Sequence, residues 1–361
     1  MKTLKKVERS GKRFLSSALK RFLKPSDQVF GIDIEAVSKI LLVRQDTRLG
    51  NLVLMTPMIA AMRSAFPDSS IDVLISSGME DVLGNNPDID ELLVFDKKLM
   101  RTKPWNYLSF VRDIRRKSYD LAVDVSDGRH FSFNNVMMTA LSGATYSLGY
   151  DREDAGDLLN ILLPPPSPDI HFADALTGLV RALSPVSGEF PMRFHLSDEN
   201  RDAVEGLLEK QGLSVLDSFC LIHPGGRGKK QWGEENFANL IDRIRAETGL
   251  PVLVIAGASE GDIVSKMKRL VHESFPVLKN LSIGQMAALI ERCELFISND
   301  TGPMHVASAL GRCTVSIFVS SNYRVYGPRG ENTRIVAGSG SRPPVDDVLM
   351  AIHDLLKNCA S

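Results

Sequence analysis

Short apolar runs alternate with amphipathic segments along this chain, and their order predicts its fold class. Each run has the length of a buried strand, and the segments between the runs carry apolar residues at helical spacing. Strands and helices that alternate in this way form parallel sheets with crossover helices. The predicted strands of the first half are residues 40–43, 71–76, 92–95 and 121–125, and its helices include 52–66 and 106–117.

The second half repeats this plan after a stretch near 184–198, which we interpret as the join between two α/β halves. A proline-rich segment, 160–170, is predicted to be irregular because proline lacks the N–H that regular structure needs. Ligands in such sheets bind at the carboxyl ends of the strands. The predicted strands are 219–223, 251–256, 295–298 and 315–318 with a short one near Val277, and the helices are 235–248, 261–272, 283–292, 303–310 and 345–357.

The formal net charge of −1 conceals a strongly basic beginning of the chain. Residues 1–25 carry nine lysine and arginine side chains against Glu8 alone, and their apolar residues recur at helical spacing. This pattern predicts a basic amphipathic helix that lies on an anionic membrane surface. A solvated tail, or one that packs on the protein's own acidic body, is the alternative.

Cysteine spacing and the length of the apolar stretches exclude several classes of protein. Four cysteines lie far apart, without a CxxC pair or a histidine cluster, so the sequence predicts neither a metal site nor a disulfide framework. No apolar stretch approaches the ~20 residues needed to span a bilayer. We therefore expect a reduced, cytoplasmic compartment, two domains for a chain of 361 residues, and no nucleic-acid partner.

Two strand–turn–helix junctions in the second half carry the most specific chemistry. In ISNDTGPMHVASALG a buried strand stops at Asn299 and a helix begins beyond Gly302. The first N–H groups of such a helix bind phosphate well, because they have no partner within the helix and the helix dipole adds positive potential. Thr301 and His305 are predicted to add a hydroxyl and a ring nitrogen, and Asp300 to accept sugar hydroxyls.

The other junction is CLIHPGGRGKKQW, where a strand ends at Ile222 and runs into Gly225 and Gly226, with Arg227 and Lys230 behind them. Two phosphate-binding turns in one half of the chain predict a nucleotide diphosphate held between them. A single junction of this kind is more often structural than functional in an α/β protein. For Arg227, an ordinary surface charge is an equally good explanation.

These two blocks, together with ILLVRQDTRLGNLVLMTPMIAAMRSAFPDSSIDVLIS near the start, resemble glycosyltransferase family 9. These are the heptosyltransferase-like enzymes that build lipopolysaccharide cores from ADP-heptose, and the resemblance runs from about Lys39 to Val336. It implies the GT-B architecture, an α/β fold with two Rossmann-like domains that face across a cleft. It also implies that Lys230 is the family's phosphate-binding lysine and that Leu281 lines the base pocket.

One position departs from the family pattern. The family's Gly-Asp, whose carboxylate is taken as the general base, is Gly50-Asn51 here, and an amide does not accept a proton at physiological pH. Asp46 lies in the same loop and is the nearest replacement. Asp46 and Asn51 are therefore the candidate catalytic residues. The alternatives are an enzyme with a weak base and a catalytically impaired protein.

The remaining candidates are charged residues beyond other strands. Glu260 follows the predicted strand 251–256 and is a candidate for the ribose hydroxyls, although a glutamate that starts a helix explains it about as well. Arg44, Arg48 and Arg129 are candidates for an acceptor that carries phosphates and acidic sugars. Solvated loop charge explains these arginines nearly as well.

Residues and resemblance together predict an inverting, metal-independent glycosyltransferase that moves heptose or a related sugar from a nucleotide diphosphate donor, ADP-heptose, to a lipopolysaccharide or lipooligosaccharide core. No cofactor is expected beside this donor. A sugar-nucleotide epimerase and a non-catalytic sugar-binding homologue are the alternatives. The expected location is the cytoplasm, peripherally at the inner membrane. The predicted domains are 1–25, a basic helix; 36–190, acceptor-binding; 195–340, donor-binding; and 345–361, a helix packing back on the first domain.

Overall fold

The structure, a computed structural model, describes residues 32–129, 132–152, 158–212, 218–338 and 340–359. The predicted basic helix 1–25 lies outside the described residues. The chain divides into two compact units, and the division does not follow a single cut. The first unit contains the chain up to Thr47, Pro57–Glu80 and Asn86–Phe190, and the second contains Arg48–Thr56, Asp81–Asn85 and the chain from Pro191 onward.

The first unit is built on a six-stranded parallel sheet with the order β3-β2-β1-β4-β5-β6. Its central strands are apolar on both faces because helices cover both faces of a parallel sheet. The strands are β1 (Lys39–Arg44), β2 (Ser70–Ser76), β3 (Glu91–Phe95), β4 (Leu121–Asp124), β5 (Tyr146–Tyr150) and β6 (Ile161–Leu163). The helices of this half of the chain are α1 (Leu49–Val53), α2 (Thr56–Ala65), α3 (Glu80–Leu83), α4 (Lys97–Thr102), α5 (Pro104–Arg116), α6 (Phe133–Leu141) and α7 (Phe172–Arg181).

The second unit has a six-stranded parallel sheet of its own, with the order β12-β11-β10-β7-β8-β9. The strands are β7 (Cys220–His223), β8 (Val252–Ala256), β9 (Val277–Lys279), β10 (Leu295–Asn299), β11 (Cys313–Phe318) and β12 (Thr333–Ala337). The helices are α8 (Asp198–Glu209), α9 (Glu234–Thr248), α10 (Gly261–Leu270), α11 (Ile283–Arg292), α12 (Gly302–Ala309), α13 (Tyr323–Tyr326) and α14 (Val345–Cys359).

The beginnings of several helices follow from their capping residues. Ser282 accepts a hydrogen bond from the backbone N–H of Gln285, whose side chain in turn accepts one from the backbone of Ser282. This capping box satisfies donors that the first turn of α11 leaves unpaired. Trp232 is fully buried; its Nε1 donates to the carbonyl of Pro343 at 2.7 Å and its ring meets Phe237 edge-on.

Two local predictions differ from the structure. The single helix predicted over 52–66 is two helices, α1 and α2, and the break falls just before Pro57. Pro57 has no N–H to donate to the carbonyl of Val53, and the hydroxyl of Thr56 donates to that carbonyl instead, at 2.8 Å, which explains the break. The segment 160–170, predicted to be irregular, contains the edge strand β6, which ends at Leu163, just before the first proline of the segment.

The C-terminal helix is the clearest correction. It was expected to pack back on the first domain, but α14 contacts β11, β12 and α9 within the second unit. Its side chains Val348, Leu349, Ile352 and Leu355 are part of the second unit's hydrophobic core. Their spacing places them on one face of the helix, and this face covers the sheet that precedes it in the sequence.

Cysteine chemistry also departs from expectation at one position. Cys313, at the start of β11, is disulfide-bonded, which the scattered spacing of the cysteines did not predict. Cys220 and Cys293 are buried free thiols, and burial raises the pKa of both.

Among the helices that the structure describes, none combines the length and apolar character that crossing a bilayer requires.

Candidate functional site

The two predicted junctions follow neighbouring strands of one sheet. β10 lies between β7 and β11, and Ser298 of β10 is in register with His223 of β7. Because parallel strands end at the same edge of the sheet, the turns after Asn299 and after His223 lie side by side. The structure therefore brings together the two segments in which the sequence predicted phosphate contacts.

Asn299 ties the two turns to each other. Its Nδ2 donates to the carbonyl of Pro224 at 3.0 Å and to that of Gly225 at 2.8 Å. The side chain is fully buried, and its Oδ1 has no hydrogen-bond partner in the described part of the chain. A buried amide that uses both N–H groups on one loop fixes the path of that loop, since leaving those groups unpaired would be costly.

Lys230 and Asp300 form an ion pair across the same two turns. Nζ of Lys230 lies 2.5 Å from Oδ2 of Asp300. The carboxylate is almost buried, whereas the lysine side chain is 45% exposed. The structure thus places the lysine predicted for phosphate and the aspartate predicted for sugar hydroxyls in direct contact, with the ammonium group still reachable from solvent.

Thr301 is held by a residue that the sequence reading did not single out. Its Oγ1 donates to the backbone carbonyl of Asn299 at 3.2 Å and lies 3.2 Å from Nδ1 of His223. Burial lowers the pKa of His223 to about 4, against an opposing effect of Glu260, so the ring is neutral at physiological pH. A hydroxyl has one proton, and the carbonyl of Asn299 accepts it here. The tautomer of His223 decides whether its Nδ1 donates to the same hydroxyl oxygen. The backbone N–H groups of the turn are then better placed than the Thr301 hydroxyl to donate to a phosphate.

Glycine at position 225 is required by close packing. A Cβ there would lie 2.4 Å from Cε1 of His223 and 3.2 Å from Cγ of Glu260. Glu260 therefore lies beside the first turn, as a ribose contact would require. Its carboxylate accepts hydrogen bonds from the backbone N–H of Gly257 at 2.8 Å and from Ser259 at 2.5 Å, which also stabilises its own loop.

A third segment packs against the start of α12. A Cβ on Gly302 would lie 2.9 Å from Cβ of Leu49, and one on Gly50 would lie 2.6 Å from Cδ2 of His305. Glycine at both positions lets the backbones of α1 and α12 approach each other closely. Asn51, which was predicted to share a loop with Asp46, lies in helix α1, and this helix belongs to the second unit although it lies in the first part of the sequence.

Four further candidates lie in the second unit. Arg227 and Arg48 are exposed, and Arg48 is the residue that precedes the first turn of α1. Leu281 is partly buried and precedes the capping box of α11. His305 is almost fully buried, with its ring against Gly50.

Arg44 and Asp46 form an ion pair within the first unit. Nη2 of Arg44 lies 2.8 Å from Oδ2 of Asp46, and Nη1 of Arg44 donates to the carbonyl of Val125 at 2.5 Å. The guanidinium is buried and lies over the ring of Phe172, 5.3 Å from its centroid. Arg44 was predicted to contact the acceptor; in the structure its buried guanidinium holds the carboxylate of Asp46 and the end of β4.

Arg129 is also engaged within its own unit. Its Nε donates to the carbonyl of Pro168 at 3.3 Å, its Nη2 donates to the carbonyl of Ile170, and its Nη1 lies 3.7 Å from a carboxylate oxygen of Asp127. These contacts fasten the loop after β4 to the proline-rich segment.

Within the described residues, no group of three or more His, Cys, Asp or Glu side chains is arranged to hold a metal.

Comparison with known proteins places the chain in a family. The model of glycosyltransferase family 9 (heptosyltransferase) matches residues 107–346, which is more than half of the chain. The chain belongs to glycosyltransferase family 9. The suspected resemblance is confirmed, and the members of this family are glycosyltransferases.

Individual relatives agree with this assignment. Lipopolysaccharide heptosyltransferase 3 of Escherichia coli K12 is 25% identical over 296 residues, covering 78% of this chain and 83% of that protein. The crystal structure of the glycosyl transferase family 9 from Veillonella parvula DSM 2008 matches with a TM-score of 0.82 and 22% identity, covering 91% of this chain and 99% of that one.

The structure of E. coli ADP-heptose lps heptosyltransferase II matches with a TM-score of 0.75 and 18% identity, covering 90% of this chain and 100% of that one. At these identities the similarity concerns the fold. The predicted fold class, GT-B with two Rossmann-like domains, is confirmed.

Two residues at this site were missed by sequence reasoning. Asn299 and His223 are the last residues of β10 and β7. His223 was predicted as the end of its strand, and Asn299 as the position where the strand 295–298 stops. The available signal was a polar residue at the end of each apolar run, next to the predicted phosphate-binding turn. Such a residue is buried by its position in the sheet and must therefore find polar partners, which here are the turns themselves.

Replacing Asn299 with alanine should weaken binding of a nucleoside diphosphate by up to about thirtyfold, because two hydrogen bonds of about 1 kcal/mol each hold the Pro224–Gly225 loop in place. Titration calorimetry measures the affinity. The matched control is Asn332→Ala, which removes a hydrogen bond to the carbonyl of Gly311 beyond the far end of α12. Equal affinities of the two variants would show that the Asn299 contacts do not shape the site.

Proposed function

We propose that this protein is an inverting, metal-independent glycosyltransferase that moves heptose, or a related sugar, from ADP-heptose to a lipopolysaccharide or lipooligosaccharide core. Membership of family 9 supports the reaction class. The relatives named for lipopolysaccharide heptosyl transfer support the sugar and the acceptor. The observation that carries the proposal is the meeting of Lys230, Asp300 and the start of α12 at the ends of adjacent strands.

The donor diphosphate is proposed to bind where these strands end. Lys230 supplies a positive charge, and the first turn of α12 supplies backbone N–H groups with the helix dipole behind them. Asp300 accepts hydroxyls of the sugar while it keeps its contact with Lys230, because a carboxylate has two oxygens with several lone pairs. Gly225 and Gly226 let the other turn approach the phosphates closely.

Metal independence is proposed on the same grounds. Cleavage of the glycosidic bond places negative charge on the departing diphosphate, and something must stabilise that charge. Lys230, with Arg227 beside it and the first turn of α12, provides positive potential there without a divalent cation. Glu260 and Leu281 are proposed contacts of the ribose and the base.

Inversion requires a base on the acceptor side. The acceptor hydroxyl attacks the anomeric carbon from the side opposite the diphosphate, its proton passes to a base, and the donor bond breaks in the same step. We propose Asp46 as that base, since its ion pair with Arg44 holds the carboxylate in a fixed position. Asn51 is proposed to orient the hydroxyl as a hydrogen-bond partner. Arg48 and Arg129 remain proposed acceptor contacts.

The proposed location is the cytoplasmic side of the inner membrane, where a lipid-linked acceptor would be reached. The basic segment 1–25 is proposed to attach the protein peripherally to anionic lipid. Its nine basic side chains in a chain of net charge −1 support this placement.

One experiment separates this proposal from its alternatives. Purified protein is incubated with ADP-heptose, with and without a lipooligosaccharide core, and release of ADP is measured. A transferase releases ADP only when the acceptor is present. An epimerase changes the sugar without acceptor, and a binding homologue binds the donor without turnover; either of these results would overturn the proposed reaction. Added EDTA is expected to leave the rate unchanged.

The role of Lys230 leads to a specific prediction. Lys230→Ala should weaken ADP binding by about 1.5–3 kcal/mol, the scale of a hydrogen bond to a charged group. Titration calorimetry provides the measurement. Lys229→Ala is the matched control, because Lys229 carries the same charge one residue earlier and is exposed. If the two variants bind ADP equally well, Lys230 acts at most through the general charge of the loop.

The proposed base leads to a second prediction. Asp46→Asn should lower turnover by at least about a hundredfold, because general-base catalysis contributes 10²–10⁴-fold. Donor affinity should change little, since Asp46 lies outside the proposed diphosphate site. Asn51→Asp, which restores the family's residue, should leave turnover similar or raise it. Turnover is measured under donor saturation, with a thermal melt to verify folding.

The opposite pattern would be equally informative. If Asp46→Asn is fully active while Asn51→Asp gains two orders of magnitude, Asp46 serves only its ion pair with Arg44. The natural protein would then be a weakened transferase that lacks a strong base.

A further inference from the structure

The exposed face of α5 has an unusual composition for a surface helix. Trp105 is 78% exposed and Leu108 is 63% exposed. Of the six large hydrophobic side chains that are exposed in the described part of the chain, three lie within residues 97–108, the third being Leu99 on α4. Exposed apolar side chains that cluster in this way mark interaction surfaces more often than isolated ones do.

The opposite face of α5 already has its partner. Tyr107, Phe110 and Val111 pack against the core of the first unit, and Ile114 is part of that core. Phe95 of β3 meets the ring of Phe110 edge-on at 5.4 Å between centroids. Packing with the sheet therefore accounts for one side of the helix and leaves Trp105 and Leu108 unexplained.

Positions on the outer face combine apolar and basic side chains. Trp105, Leu108, Arg112 and Arg116 follow one another at three- and four-residue spacing, so they lie on one stripe of the helix. All four are exposed. The apolar pair occupies the beginning of the stripe and the two arginines its end.

The local charge is strongly positive. Residues 97–117 contain eight lysine and arginine residues and one acidic residue, Asp113, although the whole chain has a net charge of −1. On α4, Lys97 and Lys98 are exposed beside Leu99, and this helix contacts α5. A partner of this surface must therefore offer negative charge together with an apolar layer.

We propose that the outer face of α5, with the basic residues of α4, is a docking surface for a bilayer that contains anionic phospholipid. Trp105 and Leu108 enter the interfacial layer, where indole rings are favoured, and the lysines and arginines face the headgroups. This surface lies in the folded body of the first unit and is separate from the basic segment 1–25. Two signals together give the stable attachment that a single weak one does not.

The chain provides its own probe for this proposal. It contains two tryptophans, and Trp232 is fully buried in the core of the second unit. A change in tryptophan emission on adding vesicles therefore reports on Trp105. The full-length protein is titrated with vesicles of phosphatidylcholine alone and with vesicles that also contain phosphatidylglycerol.

We expect the emission to shift to shorter wavelength, and to be quenched by brominated acyl chains, only with the anionic vesicles. Added salt should reverse the response, since screening weakens the attraction of surface charges. Trp105→Phe should abolish the spectral change. Arg112→Ala should weaken vesicle partitioning about fivefold, the effect of about 1 kcal/mol for each basic residue near the surface.

Matched variants distinguish binding through this surface from nonspecific adsorption to vesicles. Leu108→Ser should reduce partitioning, whereas Met350→Ser, at a side chain that is 70% exposed on α14, should not. Sedimentation with anionic vesicles without a change in Trp105 emission would overturn the proposal and assign binding to another segment, such as 1–25. Failure of the protein to bind vesicles at all would also overturn the proposal. A change in Trp105 emission that depends on protein concentration without vesicles would overturn it too, and would indicate that a second copy of the chain covers this surface. ADP release measured with a detergent-dispersed acceptor should be unchanged in Leu108→Ser. Failure of the membrane-docking proposal would therefore leave the proposed transferase reaction unaffected.

Discussion

The close approach of two backbones at Gly50 and Gly302 is the constraint on which the candidate site depends. Any side chain at either position would collide with its neighbour: with His305 for the first and with Leu49 for the second. Packing in protein interiors is too dense to absorb such a collision without movement. The contact fixes α1 against the start of α12, so that a segment from early in the sequence completes the surroundings of the turn proposed to bind phosphate.

The α/β class and most strands were predictable because buried parallel strands are continuous apolar runs, as in β1 and β10. Edge strands were harder. β6 carries only partly buried residues and lies in a proline-rich segment, so neither hydrophobicity nor propensity marked it. The placement of α14 was not predictable either, because an apolar helical face shows that a helix is buried but not which sheet buries it.

For the candidate site, the sequence predicted the backbone turns but not the partners of the charged side chains. The backbone turns at Gly225 and Gly302 follow from local sequence, since glycine and a strand end suffice to suggest them. The partners of charged side chains do not follow from local sequence. Arg44 was read as a contact for an external ligand, yet its guanidinium is buried between Asp46, Val125 and the ring of Phe172. Asp46 is only 2 positions from Arg44 in the sequence, but Val125 is 81 positions away. Whether an arginine serves the protein or a ligand depends on which of these distant residues the fold brings to it.

The division of the chain between the two units has a consequence for recombination. Arg48–Thr56 and Asp81–Asn85 belong structurally with the part of the chain that begins at Pro191. A hybrid protein that joins the first half of one relative to the second half of another at residue 190 would therefore exchange the Leu49–Gly50 pair for a foreign one. Such a hybrid preserves the fit at Gly302 and His305 only if Arg48–Thr56 comes from the same relative as the C-terminal half. The hydrogen bond from the backbone N–H of Gly284 to Asp81 requires the same of Asp81–Asn85. Inheritance of the second unit thus follows three separate stretches of sequence.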